Sequence, residues 1–243
     1  MRVLLLGGTA EARALAGRLH PEFDVISSLA GRVPDPALPV GEVRIGGFGG
    51  EDEMAQWLRA HRVDVVVDAT HPFAAGITDR AARVCARLGV PHVVLARPAW
   101  DPGDAVLVAS PTEAADVVER QAYSRVFLTS GRSTVGAFRH NSAWFLIRLV
   151  TGPAAETLPH RHSLLLSRGP YLYDDELALL REHRIDVVVT KNSGGDMTRP
   201  KLDAATTLGV PVVMVDRPAL PAGLATVGDV ADAAAWVRSM GRS

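Results

Sequence analysis

Two polar segments, each placed directly after a run of valines, contain the side chains best suited to chemistry. Residues 68–73 read Asp-Ala-Thr-His-Pro-Phe and residues 190–195 read Thr-Lys-Asn-Ser-Gly-Gly. His71 has an imidazole, which titrates near neutral pH and can exchange a proton there. Lys191 stands beside small and amide residues, a setting suited to binding an anion. We therefore predict that His71 and Lys191 are functional; polar loops that merely end buried strands are the alternative.

The strands that must position these segments belong to an internal repeat. Residues 61–67 read His-Arg-Val-Asp-Val-Val-Val, and residues 183–189 read His-Arg-Ile-Asp-Val-Val-Val. Arg-Pro-Ala at 97–99 likewise returns at 217–219. A repeat of about half the chain is too long for a solenoid unit and indicates two copies of one domain.

The apolar patterning predicts the fold class of these copies. Short continuous apolar runs are typical of parallel strands that are covered by helices on both faces. We predict an α/β protein with two similar Rossmann-like parallel-sheet domains from an internal duplication, residues 1–122 and 123–243. The active-site cleft is expected between them, because ligands bind outside the carboxyl ends of such strands.

Composition excludes several classes of protein. The chain has 243 residues and a formal net charge of −1, which gives no electrostatic support for a nucleic-acid or membrane partner. The single cysteine, Cys85, excludes an internal disulfide and a cysteine-based metal site, and a buried structural role is expected for it. The first apolar run ends at Gly7 and is too short for a signal peptide or a membrane helix. A cytoplasmic protein is therefore expected.

The first strand runs through a glycine turn into a helix, which is the order of a nucleotide-binding unit. The turn contains Gly7, Gly8 and Thr9 and lacks the G-x-G-x-x-G spacing. Its small residues still allow backbone N–H groups at the start of the helix to approach a pyrophosphate. A plain tight turn is the alternative.

The end of the second strand distinguishes between the two nicotinamide cofactors. An acidic residue here would accept hydrogen bonds from a ribose 2′-hydroxyl, whereas hydroxyl groups and an arginine suit a 2′-phosphate. Ser27, Ser28 and Arg32 occur here without any acid. NADP(H) is therefore favoured over NAD(H) if a dinucleotide binds; a solvated surface loop is the alternative.

Several cations are expected at the edge of the cleft. Residues 129–132 (Thr-Ser-Gly-Arg) are the counterpart of the glycine turn and are better suited to a single anionic group. The other candidate cations, besides Arg132 and Lys191, are Arg97, Arg168, Lys201 and Arg217. A near-neutral protein that concentrates cations at one place suits a polycarboxylate substrate.

Six segments, in order along nearly the whole chain, resemble the motif series of the precorrin-6A reductases. They are residues 7–13 (Gly-Gly-Thr-Ala-Glu-Ala-Arg), 28–32 (Ser-Leu-Ala-Gly-Arg), 68–74 (Asp-Ala-Thr-His-Pro-Phe-Ala), 97–100 (Arg-Pro-Ala-Trp), 129–132 (Thr-Ser-Gly-Arg) and 191–195 (Lys-Asn-Ser-Gly-Gly). The resemblance implies an NADPH-dependent oxidoreductase of cobalamin biosynthesis. It would reduce precorrin-6A, or the cobalt-containing equivalent, to precorrin-6B. This tetrapyrrole substrate bears many acetate and propionate groups, in agreement with a cationic cleft.

The resemblance also implies a role for each matching residue. NADPH would contact Gly7, Gly8, Thr9, Ala10, Glu11, Ser28, Gly31, Arg32, Thr70, His71 and Pro72. The substrate would contact Arg97, Ser130, Arg132, Lys191, Asn192 and Ser193, and the same role is expected for the cleft cation Arg168, which lies outside the six segments. His71 and Lys191 are the predicted catalytic residues, with His71 as proton donor and a mere binding role as its alternative. The protein itself is expected to need no metal.

Two other functions fit the same pattern. Duplicated α/β lobes also occur in two-lobed proteins that bind or sense an anion without chemistry, and fold alone does not separate these classes. An NADP-dependent reductase of another substrate is the second alternative. The sequence leaves open the presence of cobalt in the substrate, the proton donor, the stereochemistry of hydride transfer and the oligomeric state.

Overall fold

The computed structural model describes residues 1–31, 38–152 and 157–241. Its strands are β1 (Arg2–Leu6), β2 (Asp24–Leu29), β3 (Glu42–Ile45), β4 (Val65–Asp68), β5 (His92–Leu95), β6 (Val106–Val108), β7 (Arg125–Leu128), β8 (Trp144–Leu149), β9 (His162–Leu166), β10 (Val187–Lys191), β11 (Val212–Val215) and β12 (Ala225–Val227). Its helices are α1 (Ala10–Leu19), α2 (Glu51–Ala60), α3 (Ala75–Leu88), α4 (Pro111–Arg120), α5 (Tyr173–Glu182), α6 (Pro200–Leu208) and α7 (Val230–Met240). Short 3-10 helices cover Arg132–Phe138 and Asp196–Thr198.

The strands form two six-stranded parallel sheets, so the predicted α/β class is confirmed. The first sheet has the order β12-β5-β4-β1-β2-β3, and the second has the order β6-β11-β10-β7-β8-β9. Counted within the sheet, the first follows the Rossmann order 3-2-1-4-5-6, and β7 to β11 of the second follow its first five positions, 3-2-1-4-5, with β6 at the sixth. The strand order reverses between β1 and β4 in the first sheet and between β7 and β10 in the second. Ligands of such sheets bind at the carboxyl ends beside this point.

The apolar runs form the central strands because helices cover both faces of each sheet. In the first sheet, Leu5 packs with Leu15 of α1 and Ala234 of α7 on one face. Leu4 packs with Cys85 of α3 on the other face, together with α2. The expected structural role of Cys85 agrees with its complete burial. None of the helices in the described ranges is long and apolar enough to cross a membrane.

The chain divides into two compact units, Met1–Pro98 with Pro218–Ser243, and Ala99–Arg217. This division differs from the predicted boundary at residue 122. The last strand of each repeat pairs with the sheet formed by the other repeat, and the helix after it packs on that same sheet. β12 pairs with β5, and β6 pairs with β11. A repeat in the sequence shows which segments are copies but not which sheet an edge strand joins. The exchanged strands have only three residues each, which leaves little pattern to read.

The aspartates shared by the two copies are scaffold residues. The Asp64 carboxylate accepts a hydrogen bond from the backbone N–H of Arg2 (2.6 Å). Asp186 accepts equivalent bonds from the backbone N–H groups of Ser124 (2.8 Å) and Arg125 (3.0 Å). Both therefore fix the amino ends of neighbouring central strands, at the opposite end from the loops predicted to be functional.

Candidate active site

A small pocket lies at the carboxyl ends of β1, β4 and β5 in the first unit. Its empty volume is about 160 Å³, part of it open to solvent. The residues that line it are Thr9, Glu11, Ala69, Thr70, Pro72, Leu95 and Arg97. The structure thus brings together four predicted cofactor residues and Arg97, which was predicted to contact the substrate.

The turn between β1 and α1 presents the start of the helix beside this pocket. Gly7 packs so closely that a Cβ on it would lie 3.4 Å from Ala12 Cβ. Gly8 has a φ of +111°, which favours glycine, and nothing lies within 4 Å of where its Cβ would be. Thr9 Oγ1 accepts a hydrogen bond from Ala12 N–H (3.1 Å) and donates one to the Ala69 carbonyl (2.8 Å). Thr9 therefore caps α1 and joins it to the loop after β4, while the backbone at Gly8 stays accessible.

Glu11 and Arg97 form an ion pair in the wall of the pocket. Arg97 Nη1 lies 2.8 Å from Glu11 Oε1, and both side chains are largely buried. Burial raises the pKa of Glu11, but the hydrogen bond from its own backbone N–H and the charge of Arg97 together lower it by more. The net pKa is therefore below the ordinary value. Glu11 is therefore ionised at neutral pH and offsets the charge of Arg97.

Asp68 organises the loop after β4, which carries the predicted residues Thr70 and His71. Its buried carboxylate accepts hydrogen bonds from Thr70 N–H (2.9 Å), Thr70 Oγ1 (2.6 Å) and Thr78 Oγ1 (2.6 Å). Nδ1 of His71 accepts a hydrogen bond from the Phe73 N–H (3.2 Å). A neutral His71 ring therefore carries its proton on Nε2.

Arg44, which the sequence reasoning missed, contacts the predicted cofactor residue Ser28. The two residues are register partners on β3 and β2, and Arg44 Nη1 donates to Ser28 Oγ (3.2 Å). The guanidinium also donates to the carbonyls of Gly46 and Gly47 and lies 3.8 Å from the centre of the Phe48 ring. Burial lowers the pKa of Arg44, but an arginine stays charged. Its position just before a glycine-rich stretch was the available signal.

Gly31 and Arg32, both predicted to contact the cofactor, follow β2 at this edge of the sheet. Gly31 has a φ of +72°, and a Cβ on it would lie 3.2 Å from Ile45 Cγ2, so the turn after β2 favours glycine. Arg32, predicted to bind the 2′-phosphate, lies outside the described residues.

Lys191 ends β10 in the second unit and extends toward the turn after β7. Its Nζ lies 4.0 Å from where a Cβ on Gly131 would be. Burial lowers the pKa of the Lys191 amine. The turn is closed by Ser130, whose buried Oγ lies 2.7 Å from Thr134 Oγ1. Arg132 begins the 3-10 helix and is exposed, as is Arg168 beyond β9.

The predicted substrate residue Asn192 is buried and is engaged by the protein itself. Its Oδ1 accepts a hydrogen bond from Trp100 N–H (2.9 Å), and its Nδ2 donates to the Trp100 carbonyl (3.3 Å). Arg217, expected as a cleft cation, donates from Nε to the Asn192 carbonyl (2.7 Å). Ser193 is partly buried, and its N–H donates to the Lys191 carbonyl (2.7 Å).

Lys201 is not at an exposed edge, which corrects its assignment as a cleft cation. Only 4% of it is exposed, and its Nζ donates to the Thr198 carbonyl (2.6 Å). Burial, reinforced by the charge of Arg148, lowers its pKa to about 7, although Glu176 and Asp203 act in the opposite direction. The long methylene stem of a lysine can be buried, whereas sequence patterning alone assigns the residue to the surface. Among the described residues, no three His, Cys, Asp or Glu side chains form a potential metal site.

The fold and the strand-end residues define an α/β protein of two Rossmann-like units with different polar loops at equivalent places. The chain belongs to the precorrin-6x reductase CbiJ/CobK family, whose model matches residues 2–238. It is 65% identical over 239 residues to the precorrin-6A reductase of Mycobacterium tuberculosis, covering 98% of each chain. It is 55% identical over 246 residues to that of Rhodococcus erythropolis, covering 99% of each.

A solved structure of a CobK precorrin-6A reductase has the same fold. Its TM-score with this chain is 0.92 at 36% identity, and the alignment covers 99% of this chain and 97% of that one. The predicted family, fold class and enzyme class, an oxidoreductase, are thereby confirmed. The alternative of a binding or sensor protein is set aside.

Proposed function

We propose that this protein catalyses the NADPH-dependent reduction of precorrin-6A to precorrin-6B in cobalamin biosynthesis. The observation that carries the proposal is the contrast between equivalent strand ends: a glycine turn and small pocket in one unit, and Lys191 in the other. Both relatives described above are named precorrin-6A reductases, which supports the cobalt-free macrocycle as substrate. The cytoplasmic location stays a prediction.

The carboxyl edge of the first sheet has residues that fit NADPH, which supplies a hydride when bound. The accessible backbone at Gly8 and the start of α1 suit a pyrophosphate, because helix N-termini attract anions. The Ser28 hydroxyl and the Arg44 guanidinium suit a 2′-phosphate. The pocket beside Thr70 and Pro72 lies on the β4–β5 side, where the nicotinamide half would be bound.

Lys191, Arg132 and Arg168 would bind carboxylates of the macrocycle. All three follow or end strands of the second sheet at its carboxyl edge, and Arg132 and Arg168 are exposed. Partial burial strengthens an ionic contact with Lys191, since water screens it less. In this proposal Asn192 and Ser130 position the loops, because their side chains are hydrogen-bonded within the unit.

Reduction of a C=N or C=C unit adds a hydride to one atom and a proton to its neighbour. We assign to His71 the hydrogen bond that directs this proton: its Nε2–H donates, because the Phe73 N–H occupies Nδ1, and water supplies the proton itself. Asp68 is excluded as the donor, since its carboxylate accepts three hydrogen bonds from two threonines and is buried. Lys191 would act by fixing the position of a substrate carboxylate.

The proposal is tested by anaerobic assays of NADPH oxidation with precorrin-6A and with cobalt-precorrin-6A side by side. We expect turnover with the cobalt-free substrate and a higher kcat/KM with NADPH than with NADH. Single-turnover reduction by His71→Ala should be slowed, and an unchanged rate would remove the assignment of His71. Oxidation with neither macrocycle would overturn the proposed activity.

A further inference from the structure

Trp100 contacts the loop after β10 through both its backbone and its side chain, which the sequence around it does not indicate. Its backbone exchanges two hydrogen bonds with the Asn192 side chain, at 2.9 and 3.3 Å. Its indole Nε1 donates to the Gly195 carbonyl (3.0 Å). Trp100 is 6% exposed and Asn192 is 4% exposed. One residue therefore holds both ends of a segment that begins directly after Lys191.

The indole ring is itself held by a second buried residue. Lys201 Nζ lies 4.5 Å from the centre of the Trp100 ring and donates to the Thr198 carbonyl. Lys201 thus connects the ring to the far end of the same loop. A buried amine with one strong backbone acceptor and an aromatic neighbour limits how far either can move.

The conformation of the loop explains why such support is required. Gly194 and Gly195 both have positive φ angles, 66° and 80°, and glycine is the residue with the greatest backbone freedom. Two consecutive glycines in this loop would leave the conformation of residues 192–198 poorly defined without external contacts. The hydrogen bond from the indole to the Gly195 carbonyl fixes the second glycine directly.

We propose that Trp100 is a positioning residue that holds residues 192–198 in the conformation that binds the substrate, acting through Asn192 and Gly195. The inference rests on the proposed role of Lys191 as a ligand of a macrocycle carboxylate. Trp100 touches no reacting atom in this proposal. Its effect is to fix the loop that follows Lys191 before the substrate arrives, which lowers the entropy lost on binding.

The test is Trp100→Phe, which removes the indole N–H but keeps an aromatic ring beside Lys201 and the backbone bonds to Asn192. We expect the KM for precorrin-6A to rise about 10-fold, equivalent to about 1.4 kcal/mol, with kcat and the Kd for NADPH nearly unchanged. Amide hydrogen exchange should become faster in residues 192–198 and stay unchanged in β10. Trp144→Phe is the matched control, because Trp144 begins β8 at the opposite end of the same sheet; its KM should equal that of the wild type.

Lys191→Met, measured in parallel, separates this inference from the proposed function. A raised KM in Lys191→Met with a normal KM in Trp100→Phe would overturn the positioning role. Unchanged exchange in residues 192–198 of Trp100→Phe would overturn it as well. If neither variant changes KM, the assignment of this loop to the substrate is wrong, and a positioning role for substrate binding falls with it, whereas faster exchange would still show that Trp100 holds the loop.

Discussion

The loops after β4 and β10 end equivalent strands of the repeat, but they are held in different ways. In the first, Asp68 at the strand end accepts three hydrogen bonds from Thr70 and Thr78, so the loop is ordered by its own residues. In the second, Thr190 takes the place of Asp68, and its hydroxyl has only a long contact of 3.4 Å with the Lys191 carbonyl. There the support comes from Trp100, far away in the sequence.

This difference follows from what each loop presents. The repeat aligns Lys191 with Ala69, whose carbonyl accepts the hydrogen bond from the Thr9 cap of α1. In the first unit this position therefore joins the loop after β4 to the start of α1 beside the small pocket. In the second it carries a cation, and the loop that follows contains two glycines with positive φ angles. In the proposal that Lys191 binds the substrate, this copy has less internal order in its loop and depends on contacts from a distant segment.

The largest expected effect comes from removing the internal support of the first loop. Asp68→Ala leaves three donors of Thr70 and Thr78 without their acceptor in a buried place. We expect the free energy of unfolding to fall by about 3–5 kcal/mol, measured by urea denaturation. The matched variant Thr190→Ala should cost less than about 1 kcal/mol, because the contact it removes is long and weak. Equal losses in the two variants would contradict the proposed difference between the loops.

The next effect concerns binding rather than folding. Lys191→Met keeps most of the side-chain volume but removes the charge, and we expect the KM for precorrin-6A to rise about 100-fold, or about 2.7 kcal/mol. The Kd for NADPH, measured by fluorescence titration, should stay within about twofold. Because burial lowers the pKa of Lys191, the KM of the wild type should also rise at alkaline pH. A wild-type KM that is flat with pH would argue against an ionised Lys191 as the ligand.

Features that depend on neighbouring residues could be predicted from the sequence. The valine runs, the capped helix after Gly8 and the polar segments after β4 and β10 all lie within a few residues of their signals. Their copies could be recognised by comparison of the two halves. The placement of His71 and Lys191 at strand ends follows from these local patterns.

Contacts between distant segments could not be predicted in the same way. Trp100 and Asn192 are 92 positions apart, and nothing near Asn192 indicates that its amide is already occupied. Arg44 meets Ser28 only because β2 and β3 pair in a register that the sequence does not state. The exchange of β6 and β12 also depends on the sheet that each edge strand joins.

A smaller effect sharpens the comparison between the helices that follow the two loops. The repeat aligns buried Lys201 of α6 with Ala81 of α3. The unfolded chain has an ordinary lysine pKa of about 10.4, whereas the folded value is about 7. Between these values the unfolded state binds a proton that the folded state does not, so stability rises with pH by up to about 1.4 kcal/mol per pH unit.

We therefore expect Lys201→Met to remove this slope. Urea denaturation of the wild type and the variant at pH 7, 8 and 9 gives the difference in unfolding free energy at each pH, which cancels the titration of other groups. The advantage of the variant should be largest near pH 7 and should shrink as the pH rises. Parallel curves would show that Lys201 keeps an ordinary pKa in the folded protein. Its amine would then be hydrated where it contacts the Trp100 ring.

The smallest effect tests the Glu11–Arg97 ion pair in the pocket of the first unit. Glu11→Gln removes the charge opposite Arg97 but keeps the shape, and we expect a loss of about 0.5–1 kcal/mol at pH 7. The folded pKa of Glu11 is depressed, so its contribution is present above the ordinary glutamate pKa and disappears as the pH falls through the folded value. The wild type and the variant should therefore have equal stability in acid. Glu22→Gln, which breaks the more exposed pair with Arg238, is the control and should change stability less; a larger loss there would mean that burial in the pocket does not strengthen the Glu11–Arg97 pair.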